Sequence, residues 1–452
     1  MMSNCKYVSV SLAILVTCFG ISIIGAVGGQ GTESLQEAKA AFDQGKFEQV
    51  LGLIEPLITA GIDPRASLRL KMLSLIRMGE TSDGVDVYDY WTKDSWKKDE
   101  ALLRELALHT ILPLRTDMRE QMRGAAYTAL KEISSSEVIP FMEEGLTDGS
   151  GMIRVLVAEG LSHYESALDS PRFQEALKDP AGLVRVTILK GLGRSGAQSR
   201  VSLITPLLED KQEVVQVAAS GALFMLGQTK HWDRIKKATE VDEGYERGSA
   251  LRILGELGDP RALPILKQGV LDRQPSIRAA TAASLGRLGL SEAVSILIPM
   301  LADPVPAVRS VVAVTLGQLK AEEAIRPLTR TLHDRNDGVR VAAIAGLLKL
   351  NTPFQVVSHT VQELIGSTNP GLRSSVAKAL GNGRARDVAG LLTLLLNDPI
   401  PKPRISASRS LGRVGGREVI QVLKRTLRDS DAAVKVTAAG SIARILTQAE
   451  KT

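Results

Sequence analysis

Residues 277–289 read IRAATAASLGRLG, residues 308–320 read VRSVVAVTLGQLK, and residues 184–196 read VRVTILKGLGRSG. Anchored on the basic residue in second place, one register runs Arg123, Arg154, Arg185, Gln216, Arg247, Arg278, Arg309, Arg340, Arg373, Arg404, Lys435. Every step is thirty-one residues except the thirty-three between Arg340 and Arg373. Lys and Arg are 56 of 452 residues, so basic side chains at ten of eleven registered positions are not chance. A fixed period of this length marks a stacked repeat architecture rather than a globular enzyme domain.

The unit around the arginine reads as two helices. Seven residues past the register position stands Leu or Ile: Leu130, Leu161, Leu192, Leu223, Leu254, Leu285, Leu316, Leu347, Leu380, Leu411, Ile442. Six residues before it stands Asp in nine of eleven units, from Asp117 to Asp429. Ahead of that Asp lies a second amphipathic run, such as AVSILIPML (293–301) or EVIQVLKRTL (418–427). Each unit is therefore predicted as two antiparallel helices joined by short turns. The Asp suits the turn, where its carboxylate can accept from free N–H groups at a helix start. The Arg can then pair with an Asp of its own or the neighbouring unit and fix the register between layers. Glycines at Gly193, Gly255, Gly286, Gly317, Gly381 and Gly412 allow close packing or helix termination.

The D-x-x-x-x-V-R-x-x-A-x-x-x-L-G pattern, with Pro140, Pro206, Pro264, Pro299 and Pro327 in the first helices, resembles the HEAT-repeat superfamily. It is similar in particular to the short HEAT-like repeats named after phycobilisome lyases, over roughly residues 99 to 448. The resemblance implies an all-α, right-handed α-solenoid of about eleven thirty-one-residue helical hairpins. It leaves function open, because such repeats serve many tasks. An enzyme of the lyase type, acting on a chromophore or protein substrate, is the alternative it carries.

Outward from the repeats, residues 33–59 read ESLQEAKAAFDQGKFEQVLGLIEPLIT. Ala38, Ala41 and Phe42 share one helical face, Gly45 turns the chain, and Phe47, Val50, Leu51 and Ile54 begin a second face. This resembles a tetratricopeptide (TPR) unit, with a plain capping hairpin as the other reading. Trp91 and Trp96 flank a charged junction, as packing at a seam or as a ligand platform. Before it, Lys6 precedes an uncharged apolar run from Tyr7 to Gly29 that reads as an export signal. It is cleaved near Gly28, retained as a membrane tether through residues 7–27, or lipidated at Cys18, where Leu15-Val16-Thr17-Cys18 resembles a bacterial lipobox. The expected organisation is a signal or anchor over 1–28, a TPR-like region over 32–96 and the solenoid over 97–452.

Composition narrows the chemistry. Apolar residues are 44% and aromatics 4%, which suits an Ala, Val, Ile and Leu core between close helices. Net charge is +6, and the chain from Lys320 onward carries 21 basic against 11 acidic residues. Both cysteines, Cys5 and Cys18, precede the body, so disulfides and thiol chemistry are excluded there. None of the five histidines precedes a glutamate, and no two are spaced for a helical metal face. No nucleophile elbow or phosphate loop occurs. A cofactor and a metal are therefore not expected, and the body is read as non-catalytic.

One strip remains. Five and nine residues past the register position, the second helices carry Arg194, Arg252, Arg287, Lys349, Lys378, Arg409, Arg413 and Arg444. If the second helices line the concave side, these residues form a basic strip in a groove about 90–110 Å long. They are the expected contacts for a protein partner, acidic or extended. An ordinary solvated face is the competing reading. Nucleic acid is not expected for an exported chain. The functional expectation is an exported protein-binding scaffold or assembly factor of the bacterial envelope, in the periplasm or anchored facing it.

Overall fold

The computed structural model describes residues 31–93 and 99–450. The export segment, both cysteines and Trp96 lie outside the described residues. Among those described there is no strand, and no helix is long and apolar enough to cross a membrane. The chain divides into two compact units, the first ending at Pro113 and the second beginning at Leu114.

The first unit holds five helices: α1 (31–43), α2 (Phe47–Thr59), α3 (Pro64–Arg77), α4 (Thr81–Thr92) and α5 (Glu100–Ile111). Gly45, at φ +75°, makes the turn between α1 and α2, and Ala38, Ala41, Val50, Ile54 and Leu57 form the shared core. Asp63 caps α3 ahead of Pro64, its carboxylate accepting from Ala66 N at 3.3 Å. The helix α5 belongs to this unit, which therefore extends past residue 96. Arg65 and Arg69 of α3 pair with Asp99 and Glu105 at 2.7 and 2.5 Å. Trp91 donates to the same Asp99 at 3.3 Å, so it packs at a seam between helices.

The second unit holds eleven layers, each built on a second helix that, from layer 2 onward, follows a first helix of the same unit. The second helices are Glu120–Ile133, Gly151–Leu161, Gly182–Arg194, Glu213–Met225, Gly244–Leu257, Pro275–Leu288, Pro306–Gln318, Asp337–Lys349, Pro370–Leu380, Pro401–Val414 and Ala432–Glu450. The registered leucines and Ile442 are all buried, none more than 1% exposed. Several first helices tighten into 3₁₀ turns, as at Gly145–Thr147 and Thr205–Glu209. Prolines remove backbone donors there, at Pro140 and Pro206.

The Asp–Arg pattern resolves into a ladder between layers. Each arginine pairs with the Asp twenty-five residues on, in the next layer: Arg123 with Asp148, Arg154 with Asp179, Arg278 with Asp303, Arg309 with Asp334, Arg373 with Asp398, Arg404 with Asp429. These rungs are bidentate, as in Arg309, whose Nε and Nη2 donate to Asp334 at 2.8 Å each. The remaining nitrogen, Nη1, donates backward to the carbonyl of its own layer's Asp, as Arg309 does to Asp303 at 2.8 Å. The same Asp caps its own turn, Asp334 accepting from Asn336 N at 2.8 Å. Both readings of the arginine's partner therefore hold together: a neighbour's carboxylate and its own layer's backbone.

The breaks in the repeat follow from this ladder. Layer 5 has Val241 where Asp is expected, and Gln216, which would have used it, instead takes Arg234 as partner. Layer 9 has Ser367 at that position, and Arg340 is rerouted to Glu363 and Asp337 at 2.9 and 2.5 Å. Arg261 stacks over Trp232 and Phe224 beside the first of these breaks, so the aromatics there serve packing.

Glycines set how close successive second helices come. A Cβ on Gly317 would stand 2.6 Å from the Cα of Gly346, and one on Gly255 would stand 2.6 Å from the Ser284 carbonyl oxygen. The eleventh layer repeats this contact against the first: a Cβ on Gly440 would lie 2.8 Å from Ala129 Cβ and 3.1 Å from its Cα. The helix Ala432–Glu450 thus packs on Glu120–Ile133 as any layer packs on the next. The solenoid closes into a ring. The open groove expected from the sequence is replaced by a bore, and the stack covers its own ends.

Candidate protein-binding bore

Second-helix positions five and nine residues past the register lie one turn apart on one face. The ion pairs show which way that face points. Lys190 and Arg194 of layer 3 reach Glu256 of layer 5 at 3.0 and 3.5 Å. Arg409 and Arg413 of layer 10 reach Glu132 of layer 1 at 3.0 and 2.9 Å. Each contact skips a layer, which side chains can do only where the helices converge, on the concave wall. The second contact crosses the closing seam with the same two-layer stride as the first. These positions therefore line the bore, as the sequence expectation placed them.

All eight expected contact residues share this wall, in different states. Arg287, Lys349 and Lys378 are exposed and, among the described residues, make no ion pair. Arg194 is exposed but held by Glu256, and Arg413 by Glu132. Arg409 and Arg444 are half-buried. Arg444 donates from Nη1 to the Glu132 carbonyl at 3.5 Å, while its Nε is buried without a partner. Burial pulls its guanidinium below arginine's ordinary value, and Arg413 adds to the effect. Arg252, also half-buried, donates to Ser249 Oγ at 2.9 Å and is shifted down for the same first reason, with Arg287 adding.

With Lys190, nine cations occupy these positions against three carboxylates, Glu132, Glu159 and Glu256. The sequence reading passed over Glu132 and Glu256 as clamps on the cations and over Lys402. Lys402 sits two residues before the register position, two turns from Arg409 on the same face, and is exposed. Helical spacing would have found it. At the seam a cavity of about 580 Å³ opens beside His163, Tyr164, Leu156, Arg413 and Arg444. Among the described residues no cluster of His, Cys, Asp and Glu is arranged to hold a metal ion.

Eleven helices spaced 8–10 Å apart place their axes on a circle roughly 30 Å across, and subtracting one helix diameter leaves a bore of about 20 Å. That is wide enough for a polypeptide, helical or extended.

The HEAT-repeat family model matches residues 233–311, 268–349, 295–380 and 388–451. Comparison with curated protein sequences gives no match. Among solved structures, the chain is similar to human deoxyhypusine hydroxylase at 19% identity, over 57% of this chain and 98% of that one, with a TM-score of 0.30. It is also similar to the CpcE–CpcF complex of phycocyanin lyase from Nostoc, at 19% identity over 67% and 92% of the two chains, with a TM-score of 0.32. Residues 233–380 and 388–451 are HEAT repeats, and the second unit as a whole is an all-α solenoid.

Proposed function

We propose that the protein is an exported, non-catalytic scaffold or assembly factor of the bacterial envelope that takes an acidic polypeptide partner into its ring. The cationic excess inside a closed bore carries this reading. Positive charges facing one another across a narrow space raise the local potential and draw in a chain of carboxylates. Contact is then distributed over many layers rather than concentrated in one pocket. The apolar run after Lys6 supports export and, if retained, a membrane tether.

The test uses exposed residues outside the ion pairs. Reversal of Arg409 and Arg413 would set two carboxylates against Glu132 and disturb the closure itself. Arg287→Glu, Lys349→Glu and Lys378→Glu together leave the ring's contacts alone. A labelled twenty-residue poly-glutamate is expected to bind the wild-type protein, to weaken as salt is raised, and to lose at least tenfold in affinity to the triple variant. Poly-lysine is expected not to bind. Absence of poly-glutamate binding, or equal binding by the triple variant, would overturn the role of the bore. Export is read separately, by fusing residues 1–30 to a phosphatase active only outside the cytoplasm; an inactive fusion overturns it.

A further inference from the structure

The bore wall has a second pattern, apolar and confined to one arc. Two residues before the register position lies seven residues before the first lining position and eleven before the second, two and three helical turns away on the same face. In layers 2 to 5 this position is Met152, Leu183, Val214 and Tyr245. Met152, Leu183 and Tyr245 are 67%, 47% and 59% exposed, and Val214 is half-buried. Tyr245 stands seven residues before Arg252, two turns away on the same helical face. In the other seven layers the position holds only small or polar residues: Gln121, Ser276, Ala307, Gly338, Gly371, Lys402 and Ala433. Four large side chains, three of them exposed, thus occupy the same position in four consecutive layers.

Across an eleven-layer ring, layers 8 to 11 stand opposite layers 2 to 5. Their lining positions carry Lys349, Lys378, Lys402, Arg409, Arg413 and Arg444 and no carboxylate. One arc of the bore thus carries the apolar side chains beside a mixed set of charges, Lys190, Arg194 and Arg252 with Glu159 and Glu256, and the opposite arc carries six cations and no carboxylate of its own. An α-helix, 10–12 Å across with its side chains, fits within the bore of about 20 Å and fills more of it than an extended chain does.

We propose that the occupant is an acidic amphipathic helix, inserted along the bore, with its apolar face on the Met152–Tyr245 arc and its carboxylates on the Lys378–Arg413 arc. This rests on the reading of the bore as a site for acidic polypeptide and specifies the partner's form. Large apolar anchors in the groove and cations opposite are the complement of such a helix.

The probe is an eighteen-residue peptide with Glu along one helical face and Leu along the other, compared with an isomer of identical composition in scrambled order. The designed peptide is expected to bind at least tenfold more tightly than its isomer and to gain helicity on binding. Met152→Ser, Leu183→Ser and Tyr245→Ser combined, and separately Lys378→Gln with Lys402→Gln, are each expected to lower its affinity at least tenfold. All five residues are exposed, and unchanged thermal melts check that the ring is intact. Equal binding of both peptides would overturn the helix while leaving the acidic-polypeptide reading standing. Failure of both peptides and of poly-glutamate would overturn the two together. Tight binding of phosphatidylglycerol vesicles, abolished by the apolar-arc variant, would assign the strip to a lipid surface instead and overturn the proposal.

Discussion

Two interfaces in the ring do the same job by different means. Between layers 7 and 8, Arg309 forks onto Asp334, and Gly317 lets the backbone of Gly346 come close. At the seam between layers 11 and 1 the helices approach as closely, through Gly440 and Ala129, but the rung is gone. Lys435 stands where Arg is expected, and Asp117, its register partner, is held by Arg119 of its own layer at 2.9 Å. What bridges the seam of the stack is Glu132 of layer 1, clamped by Arg409 and Arg413 of layer 10 on the bore side. The interior layers are locked by a partly buried ladder, and the closing contact by packing plus ions facing the bore. The ladder fixes register where it is present.

Acid should separate the two most strongly. Arg278, Arg309 and Arg373 hydrogen-bond to Asp303, Asp334 and Asp398 and hold them below the usual carboxylate range. A depressed folded value means the stabilisation is complete above the unfolded value of about 3.9 and is lost as pH falls through the folded values. Melting temperature is expected to hold from neutral pH to about pH 5 and to fall steeply below about pH 4 as the rungs fail together. Asp117, lowered to about 2 chiefly by its hydrogen bonds from Arg119, stays ionised longer but ties no layer to another. A melting temperature unchanged at pH 3 would deny the ladder its role.

Next in size is Gly317→Val. Its side chain would run into the Gly346 backbone, which has no rotamer to yield, so the cost is expected at about 3 kcal/mol or more, read by urea unfolding. The sharpest comparison pairs Asp334→Ala with Glu132→Gln. The first removes a rung and a cap and is expected to cost about 2–4 kcal/mol. The second weakens an ion cluster open to the bore and is expected to cost about 1 kcal/mol. Hydrogen exchange should then rise first in Ala432–Glu450 and Glu120–Ile133 for Glu132→Gln, and in layers 7 and 8 for Asp334→Ala. The smallest effect is a gain: Lys435→Arg supplies the fork that other layers use and should slow exchange at the seam by up to about 1 kcal/mol.

Much of this was legible in the sequence because it is carried by repeated side chains. The registered leucines, the Asp–Arg rungs, the glycines of close approach and the basic face all stand at the positions the period assigns them. Even the irregularities obey it: Gln216 accompanies the loss of Asp at Val241, and Arg340 is rerouted because Ser367 stands where its Asp should be. Closure was not legible. No residue encodes it. It results from the small rotation between layers, and only the total over eleven layers decides between a spiral and a ring. The affiliation of α5 was hidden similarly, since Asp99 reads as one more acidic residue until Arg65 and Trp91 converge on it.

Gly440 against Ala129 has a consequence for how the molecule comes apart. A linear stack melts from its termini, where the outermost layer has one neighbour instead of two. In a ring every layer has two, and layer 11 is flanked on both sides like any other. Unfolding must begin with a rupture somewhere on the circle, and the first rupture creates both loose ends at once. Weakening one joint therefore changes where the circle opens before it changes how much of it survives.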